Sequence, residues 1–482
     1  MRTTTRLRAL AVALSCVGLT LSACGRSESG QAAEPGPLAG LEAELGSLVP
    51  MLLEAFAVPG AAVGIIHEGE ILMKRGFGYA DVASGRPVDA GTAFNIGSIS
   101  KTVAAWGVLK LVEAGDLDLD APASTHLTRW QLPESAFDHD GVTVRRMLSH
   151  TAGLSLSGYP GFQPGEPLPT VEESLSGATN GAGGVYVAHE PGSRWQYSGG
   201  GYTLAQLIVE EVTRRPFAEY MDSEVLERLG MRSSSFGWDE DVDRVAATPY
   251  GSVGEPIGGP RFTAMAAAGL QTTLDDITRF ALASLGRLGG DRGTGGVLGR
   301  ETLALMQSPV EPSDDYGLGY SHEVLGGVTL VGHGGANQGW MALLSLAPET
   351  GDGLVVMTNG SNGARVHGVI ACAWRSRVTG EACDPPPPIP VPFDEAGMAR
   401  LAGWYAGPDG RTIELRPTAG RLVLQFPNGL RSLVLARGDD EFFTAAASLT
   451  FAAEQDEDGA VSGLMVSVRG EAPVLVARVE AP

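Results

Sequence analysis

Apolar residues recur at helical spacing at Leu41, Leu45, Leu48, Leu52 and Phe56, which predicts an amphipathic first helix stopped by Pro59-Gly60. Ala61 to His67 and Ile71 to Tyr79 then read as two strands joined at Glu68-Gly69-Glu70, a hairpin signal. A second apolar run opens with Phe94-Asn95-Ile96-Gly97-Ser98-Ile99-Ser100-Lys101-Thr102 and continues through Trp106, Leu109 and Leu111. It reads as a helix, because no proline falls between Ser98 and Ala114 and Gly115 offers a left-handed cap. The chain is then mostly helical and loop-rich to about residue 310: Thr143 to Ser149 is short and amphipathic, residues 155 to 190 read as a long surface loop, and Leu204 to Val212 as another periodic helix. Tyr316 to Val324, Val328 to Gly332, Met341 to Ala347 and Leu354 to Thr358 are strand-like, and Ala364 to Val378 closes the region as a helix. The pattern predicts an α+β fold. An antiparallel sheet begun near residue 61 is completed after residue 316, flanked by helices and interrupted by a helical subdomain.

Asp384-Pro385-Pro386-Pro387-Pro388-Ile389-Pro390-Val391-Pro392 reads as a stiff proline-rich linker. Beyond it Ile413 and Leu415, then Leu422, Leu424 and Phe426, alternate with polar neighbours, and breaks fall at Thr418-Ala419-Gly420, Pro427-Asn428-Gly429 and Asp456-Glu457-Asp458-Gly459. That spacing predicts short antiparallel strands forming a small all-β barrel. The organisation expected for the 482 residues is a main domain over 41–383, a linker over 384–393 and a barrel over 394–482.

Composition allows proper cores, with 43% hydrophobic residues, and a net charge of −22 argues against a nucleic-acid partner. Arg2, Arg6 and Arg8, an apolar stretch from Leu10 to Leu21 and then Leu21-Ser22-Ala23-Cys24 have the layout of a signal peptide over residues 1–23. The last four residues resemble a bacterial lipobox, so Cys24 is expected to carry lipid, with 24–40 as a flexible tether. The expected location is extracytoplasmic, on a membrane, as a bacterial lipoprotein. Cys16 would leave with the leader, which leaves Cys372 and Cys383. A structural disulfide is the expectation for them; a thiol nucleophile or metal pair is the poorer alternative, since no histidine lies beside them in sequence.

Ser98 and Lys101 lie three apart, hence on one face of the predicted helix, near its positive end. A lysine can take a serine proton only if burial leaves it partly neutral, and Ser and Lys at this spacing on a solvated face are commonplace. His150, beside a loop glycine, is a base or a structural hydrogen-bonder. Tyr197, in the Gly-rich stretch before the 204–212 helix, either faces a cleft or is an ordinary loop aromatic; a cation beside it would lower its pKa. His333-Gly334-Gly335 falls where a strand is expected to end, and its glycines would let a substrate lie against strand backbone. No serine has glycine at both −2 and +2, no H-E-x-x-H or paired Cys-His spacing occurs, and there is no G-x-x-x-x-G-K-[ST]. No metal and no cofactor are therefore expected.

Together these elements resemble the serine β-lactamase and penicillin-binding protein superfamily, most closely the class C-like branch with its esterases, D-aminopeptidases and D-alanyl-D-alanine carboxypeptidases. The resemblance covers roughly residues 40 to 380. Ser98 and Lys101 match its S-x-x-K, Tyr197 matches Y-x-N with Gly199 in place of Asn, His333-Gly334-Gly335 matches H-x-G, and Met147 to Leu154 looks like a recurrent structural stretch. The resemblance implies that Ser98 forms an acyl-enzyme, that Lys101 and Tyr197 move the proton, and that the N–H groups of Ser98 and Ala336 make the oxyanion hole. His333 would add hydrogen bonding and, if protonated, positive charge, with Gly334 and Gly335 beside the substrate. Gly199 lacks the amide that helps orient the lysine, and Gly334 lacks the hydroxyl that often binds a substrate carboxylate. Both departures argue against efficient β-lactam hydrolysis and should cost a polar peptide more than an ester with a small acyl group, so the expected substrates are small esters or D-amino-acid-containing peptides, with weak or no penicillinase activity. The rival expectation is a non-catalytic lipoprotein that binds peptidoglycan or penicillin. Leu401-Ala402-Gly403-Trp404-Tyr405 resembles the opening of the lipocalin-like module that follows such domains.

Overall fold

A computed structural model describes residues 36–237, 240–289, 293–391, 393–438, 440–446, 449–468 and 471–481. The leader, Cys24 and most of the expected tether lie outside the described residues. Among those described, no helix is long and apolar enough to cross a membrane.

The strands of the main sheet are β1 (Gly60–His67), β2 (Glu70–Asp81) and β3 (Arg86–Pro87), then β6 (Ser321–Leu325), β7 (Val328–Asn337), β8 (Trp340–Ala347) and β9 (Asp352–Thr358); between them β4 (Ala93–Asn95) and β5 (Gln271–Thr273) form a separate small ribbon. The order β3-β2-β1-β9-β8-β7-β6 is antiparallel throughout, and the β1–β9 pair, with Ala61 opposite Thr358, joins the two ends of the domain. β1 is buried over nearly its whole length because both faces are covered, which is why it reads as an unbroken apolar run. Ala61, Val63 and Ile65 pack with the Leu41–Ala55 and Gly363–Thr379 helices. Ala62 and Ile66 face the core shared with the Leu274–Ser284 and Ile99–Ala114 helices.

The Ile99–Ala114 helix is apolar on almost every side. It is buried from Ile99 to Leu109 and ends at Gly115 in the left-handed region (φ 78°). A helix hydrophobic all round belongs inside a protein. Lys101 is consequently 2% exposed and does not sit on a solvated face.

Three expectations change. Tyr316 to Tyr320 is not strand: Leu318 and Gly319 donate to the carbonyls of Met306 and Leu148, tying the segment into the helical subdomain, and β6 begins only at Ser321. β7 does not stop at Gly332 but runs on to Asn337, so the His333 motif lies within the strand. Residues 155 to 190 are not wholly a surface loop. They contain a Val171–Leu175 helix with a Thr170–Glu173 capping box, and Val185 and Val187 are buried.

After the linker, β10 (Gly403–Ala406), β11 (Thr412–Thr418), β12 (Arg421–Gln425), β13 (Arg431–Ala436), β14 (Glu441–Thr444), β15 (Leu449–Gln455), β16 (Val461–Val468) and β17 (Val474–Val479) form a barrel closed by β10–β17 pairing. Closure removes the unpaired edges of an open sheet. The Glu395–Leu401 helix packs Met398 and Leu401 on the barrel core of Leu415, Leu424 and Phe442. On the outside, Val423, Leu433, Phe443 and Ala445 enter the same core as Phe56 and Val366, with the Phe56 and Phe443 rings edge to face at 6.4 Å. Arg365 donates to the carbonyls of Thr444 and Ala445, both at 3.0 Å. Cys372, on the Gly363–Thr379 helix, is bonded to Cys383 with Cα atoms 5.8 Å apart.

Candidate active site

Ser98 follows a turn in which Gly97 takes φ 52°, a left-handed conformation that suits glycine. The turn is held by Asn95, whose Oδ1 accepts from Gly97 N–H (2.9 Å) and Asn337 Nδ2 (2.6 Å), while both asparagine amides donate to Ala268 O. Ser98 occupies the N-cap position, yet its hydroxyl makes no capping bond and stays half-exposed, free for chemistry. One turn on, Lys101 Nζ stands 3.1 Å from Ser98 Oγ and donates to Ala267 O at 2.6 Å. Burial lowers the lysine from 10.5 to about 7. Near neutrality a large fraction of it is therefore a free amine, with a lone pair for the serine proton.

Tyr197 sits just before the Gly199–Thr213 helix, which Ser198 caps by accepting from Gly201 N–H. Its ring lies 4.9 Å from Lys101 Nζ. Burial raises the phenol to about 12, and the Ser98 hydroxyl beside it offsets that only in part. Lys101 does not act as the cation that would lower it, because burial takes that lysine to about 7 and it is neutral well before the phenol titrates. Tyr197 is thus a neutral phenol able to pass a proton.

The third wall is β7. Two-residue turns join β6 to β7 and β7 to β8, with Leu325 opposite Val328 and Asn337 opposite Trp340. Residues flanking such turns exchange backbone hydrogen bonds, so the even-numbered residues of β7 point their N–H and C=O towards β6 and the odd-numbered towards β8. β6 stops opposite Gly332. Beyond it Gly334 and Ala336 present backbone to an open edge, and both are exposed. A Cβ added to Gly97 would stand 2.5 Å from Ala336 N, and one added to Gly335 would collide with Ile96 O. Backbone therefore touches backbone here, which brings Ala336 N–H beside the turn that carries Ser98.

His333 Nδ1 donates to Gly334 O at 2.6 Å, leaving Nε2 a buried lone pair with no protein partner. Burial, with Lys101 nearby, lowers the ring to about 4, so it carries no positive charge at neutral pH. Its ring centroid is 6.1 Å from Tyr197 and 5.9 Å from Tyr316.

The two motif departures differ in kind. A Cβ on Gly199 would meet Ser157 O at 3.0 Å and the Tyr159 ring at 3.3 Å, so the loop over those residues fills the space an Asn side chain would need. A Cβ on Gly334 would meet nothing within 4 Å. Ser98, Lys101, Tyr197, His333 and the backbone around Ala336 thus come together in one place; the Cys372–Cys383 bond instead ties the closing helix to the segment that follows it. The sequence carries no local signal for Asn95, Asn337 or the Ala267 carbonyl, whose partners are distant in the chain, and the pattern around Tyr316 reads as strand. Among the described residues no three His, Cys, Asp or Glu cluster to hold a metal.

A family model described as Beta-lactamase matches residues 47–373. Esterase EstB of Burkholderia gladioli is 32% identical over 231 residues, 45% of this chain and 57% of its own length. The chain spans about half the length of the curated relatives it matches. Among solved structures, the octameric penicillin-binding protein homologue from Pyrococcus abyssi superposes with a TM-score of 0.61 at 23% identity, covering 90% of this chain and 99% of that one. A beta-lactamase/D-alanine carboxypeptidase from Pseudomonas syringae gives 0.57 at 20% identity over 72% of this chain and all of its own. Its sheet, its helical subdomain and the span of the match make this chain a member of the Beta-lactamase family.

Proposed function

We propose that the chain is a serine hydrolase that works through an acyl-enzyme on small esters or amides whose leaving group carries no carboxylate. The observation that carries this reading is Lys101, buried, lowered to about 7 and 3.1 Å from Ser98 Oγ. Ser98 Oγ attacks the carbonyl carbon as its proton passes to Lys101 Nζ, and the oxyanion is held by the N–H groups of Ser98 and Ala336. Collapse breaks the bond to the leaving group, which takes the proton back from Lys101 by way of the Tyr197 hydroxyl. Water then adds to the acyl carbon, giving a proton to the same pair; collapse breaks the bond between Ser98 Oγ and the acyl carbon, Oγ takes that proton, and the acid leaves.

The substrate class follows from polarity. At neutral pH His333 offers a lone pair where a carboxylate needs a donor, and Gly334 has no hydroxyl to supply one. The likeness to an esterase supports the same choice. Turnover of p-nitrophenyl acetate and butyrate, absent in Ser98→Ala, tests it. A stable fluorophosphonate label on Ser98 with no ester, D-aminoacyl amide or D-Ala-D-Ala peptide consumed would favour the non-catalytic binder instead. Nitrocefin hydrolysis at the rate of a dedicated β-lactamase would refute the assignment.

Because space beside Gly334 is open, Gly334→Thr should fold normally and restore a donor. Its kcat/KM on carboxylate-bearing D-Ala-D-Ala peptides, relative to esters, should rise about tenfold, as for one hydrogen bond to a charged group. The leader pattern supports export with lipid at Cys24, which metabolic labelling with an alkyne fatty acid would detect and Cys24→Ser would abolish.

A further inference from the structure

We propose that His150 is a positioning residue for Tyr197, gripping the backbone on both sides of it and bearing on its ring, so that the phenol stays aimed between Ser98 and the leaving group. The inference rests on the hydrolase reading above. The His150 carbonyl accepts from Gln196 N–H at 2.8 Å, and its Nδ1 accepts from Ser198 N–H at 3.1 Å. The Trp195–Gln196 and Tyr197–Ser198 peptide units, one on either side of the Tyr197 Cα, are therefore fastened to a single residue. The two rings lie 4.3 Å apart between centroids. The Tyr316 and Tyr202 rings also pack on the imidazole, at 4.8 and 5.3 Å between centroids.

The local conformation is itself unusual. His150 is 1% exposed and has φ 60°, a left-handed backbone rare outside glycine and kept only where its surroundings impose it. The hydrogen bond also fixes the tautomer. An amide N–H can only donate, so Nδ1 is bare and the neutral ring carries its proton on Nε2. A proton on Nδ1 would set two N–H groups face to face. Burial, and then Lys101 and His333, hold the ring well below its ordinary value, so it remains an acceptor while Lys101 titrates. His150 makes no hydrogen bond to Ser98 or Lys101 among the described residues, so its influence on the reaction runs through Tyr197.

Two substitutions separate the ring from the bond. His150→Phe keeps an aromatic surface but leaves Ser198 N–H unpaired. His150→Asn keeps an acceptor near Nδ1 and tolerates the left-handed backbone but loses the ring. For p-nitrophenyl butyrate, kcat should fall about 30-fold in His150→Phe and less than about fivefold in His150→Asn, with KM within about twofold, a coupling in the range seen for residues in contact. In a Tyr197→Phe background His150→Phe should change kcat by less than about twofold, because the group being aimed is already gone. An equal loss in both backgrounds, or no loss in either, overturns the proposal. If His150→Phe does not fold, the same cycle with His150→Asn carries the test, a loss that persists undiminished in Tyr197→Phe overturning it. Wild-type turnover by Ser98→Ala would instead overturn the hydrolase reading.

Discussion

Replacing Lys101 by methionine is expected to lower kcat/KM on an ester by about a thousandfold or more and, at the same time, to make the protein harder to unfold. The first effect is the loss of the base, typically worth 10² to 10⁴. The second comes from burial. Moving a lysine from 10.5 to about 7 means that the fold disfavours its charged form. At about 1.4 kcal/mol per pH unit the full penalty is about 5 kcal/mol, from which about 1 kcal/mol is subtracted for the lost bond to Ala267 O. The folded pKa lies below the unfolded one, so between about 7 and 10.5 the unfolded chain binds more protons and the wild type gains stability as pH rises; below about 7 the penalty is present in full. Thermal melts across this window should show the rise in the wild type and not in the variant. Wild-type kcat/KM should meanwhile fall about tenfold per unit below pH 7, since an ammonium cannot take the Ser98 proton. A variant that melts below the wild type at pH 7 would contradict the account.

Gly335→Ala is the second large effect. The new methyl group would strike the Ile96 carbonyl, so β7 must draw away from the turn before Ser98 and take Ala336 N–H with it. A misplaced oxyanion donor costs on the order of 10² to 10³ in kcat, and forcing an extra carbon into a tight contact costs about 1 to 3 kcal/mol. Gly334→Ala, one residue away with nothing near its Cβ, should melt with the wild type. Ester kinetics and melts of the two variants side by side check the contrast, and equal behaviour would dismiss the proposed contact.

Where information is local, the sequence was readable. The Ile99–Ala114 helix announces itself by an apolar run and a terminal glycine, and β1 and β9 by unbroken apolar stretches. Where partners are distant it was not. β7 extends past Gly332 because β8 pairs with it there, and the glycines at 334 and 335 carry no alternation to signal a strand. The S-x-x-K pair is silent about burial, which the surrounding helix decides: with Val103, Trp106 and Val108 all buried, no face remains for a solvated lysine. Gly199 looked like a missing group, whereas the Ser157–Tyr159 loop occupies the space, a packing fact that one chain segment cannot disclose. The charge state of His333 likewise depends first on its burial by distant segments, and then on Lys101, more than two hundred residues earlier.

The barrel's outer strands and the first helix complete one another's interior, and this has a bearing on how the polypeptide can be divided. Severing it in the run of prolines would not yield two self-sufficient pieces, because Phe56 and Val366 on one and Val423 and Phe443 on the other would each lose their cover. The larger portion made alone would present a sticky flank to its neighbours, and the two fragments made together have every reason to find each other again without a covalent tie.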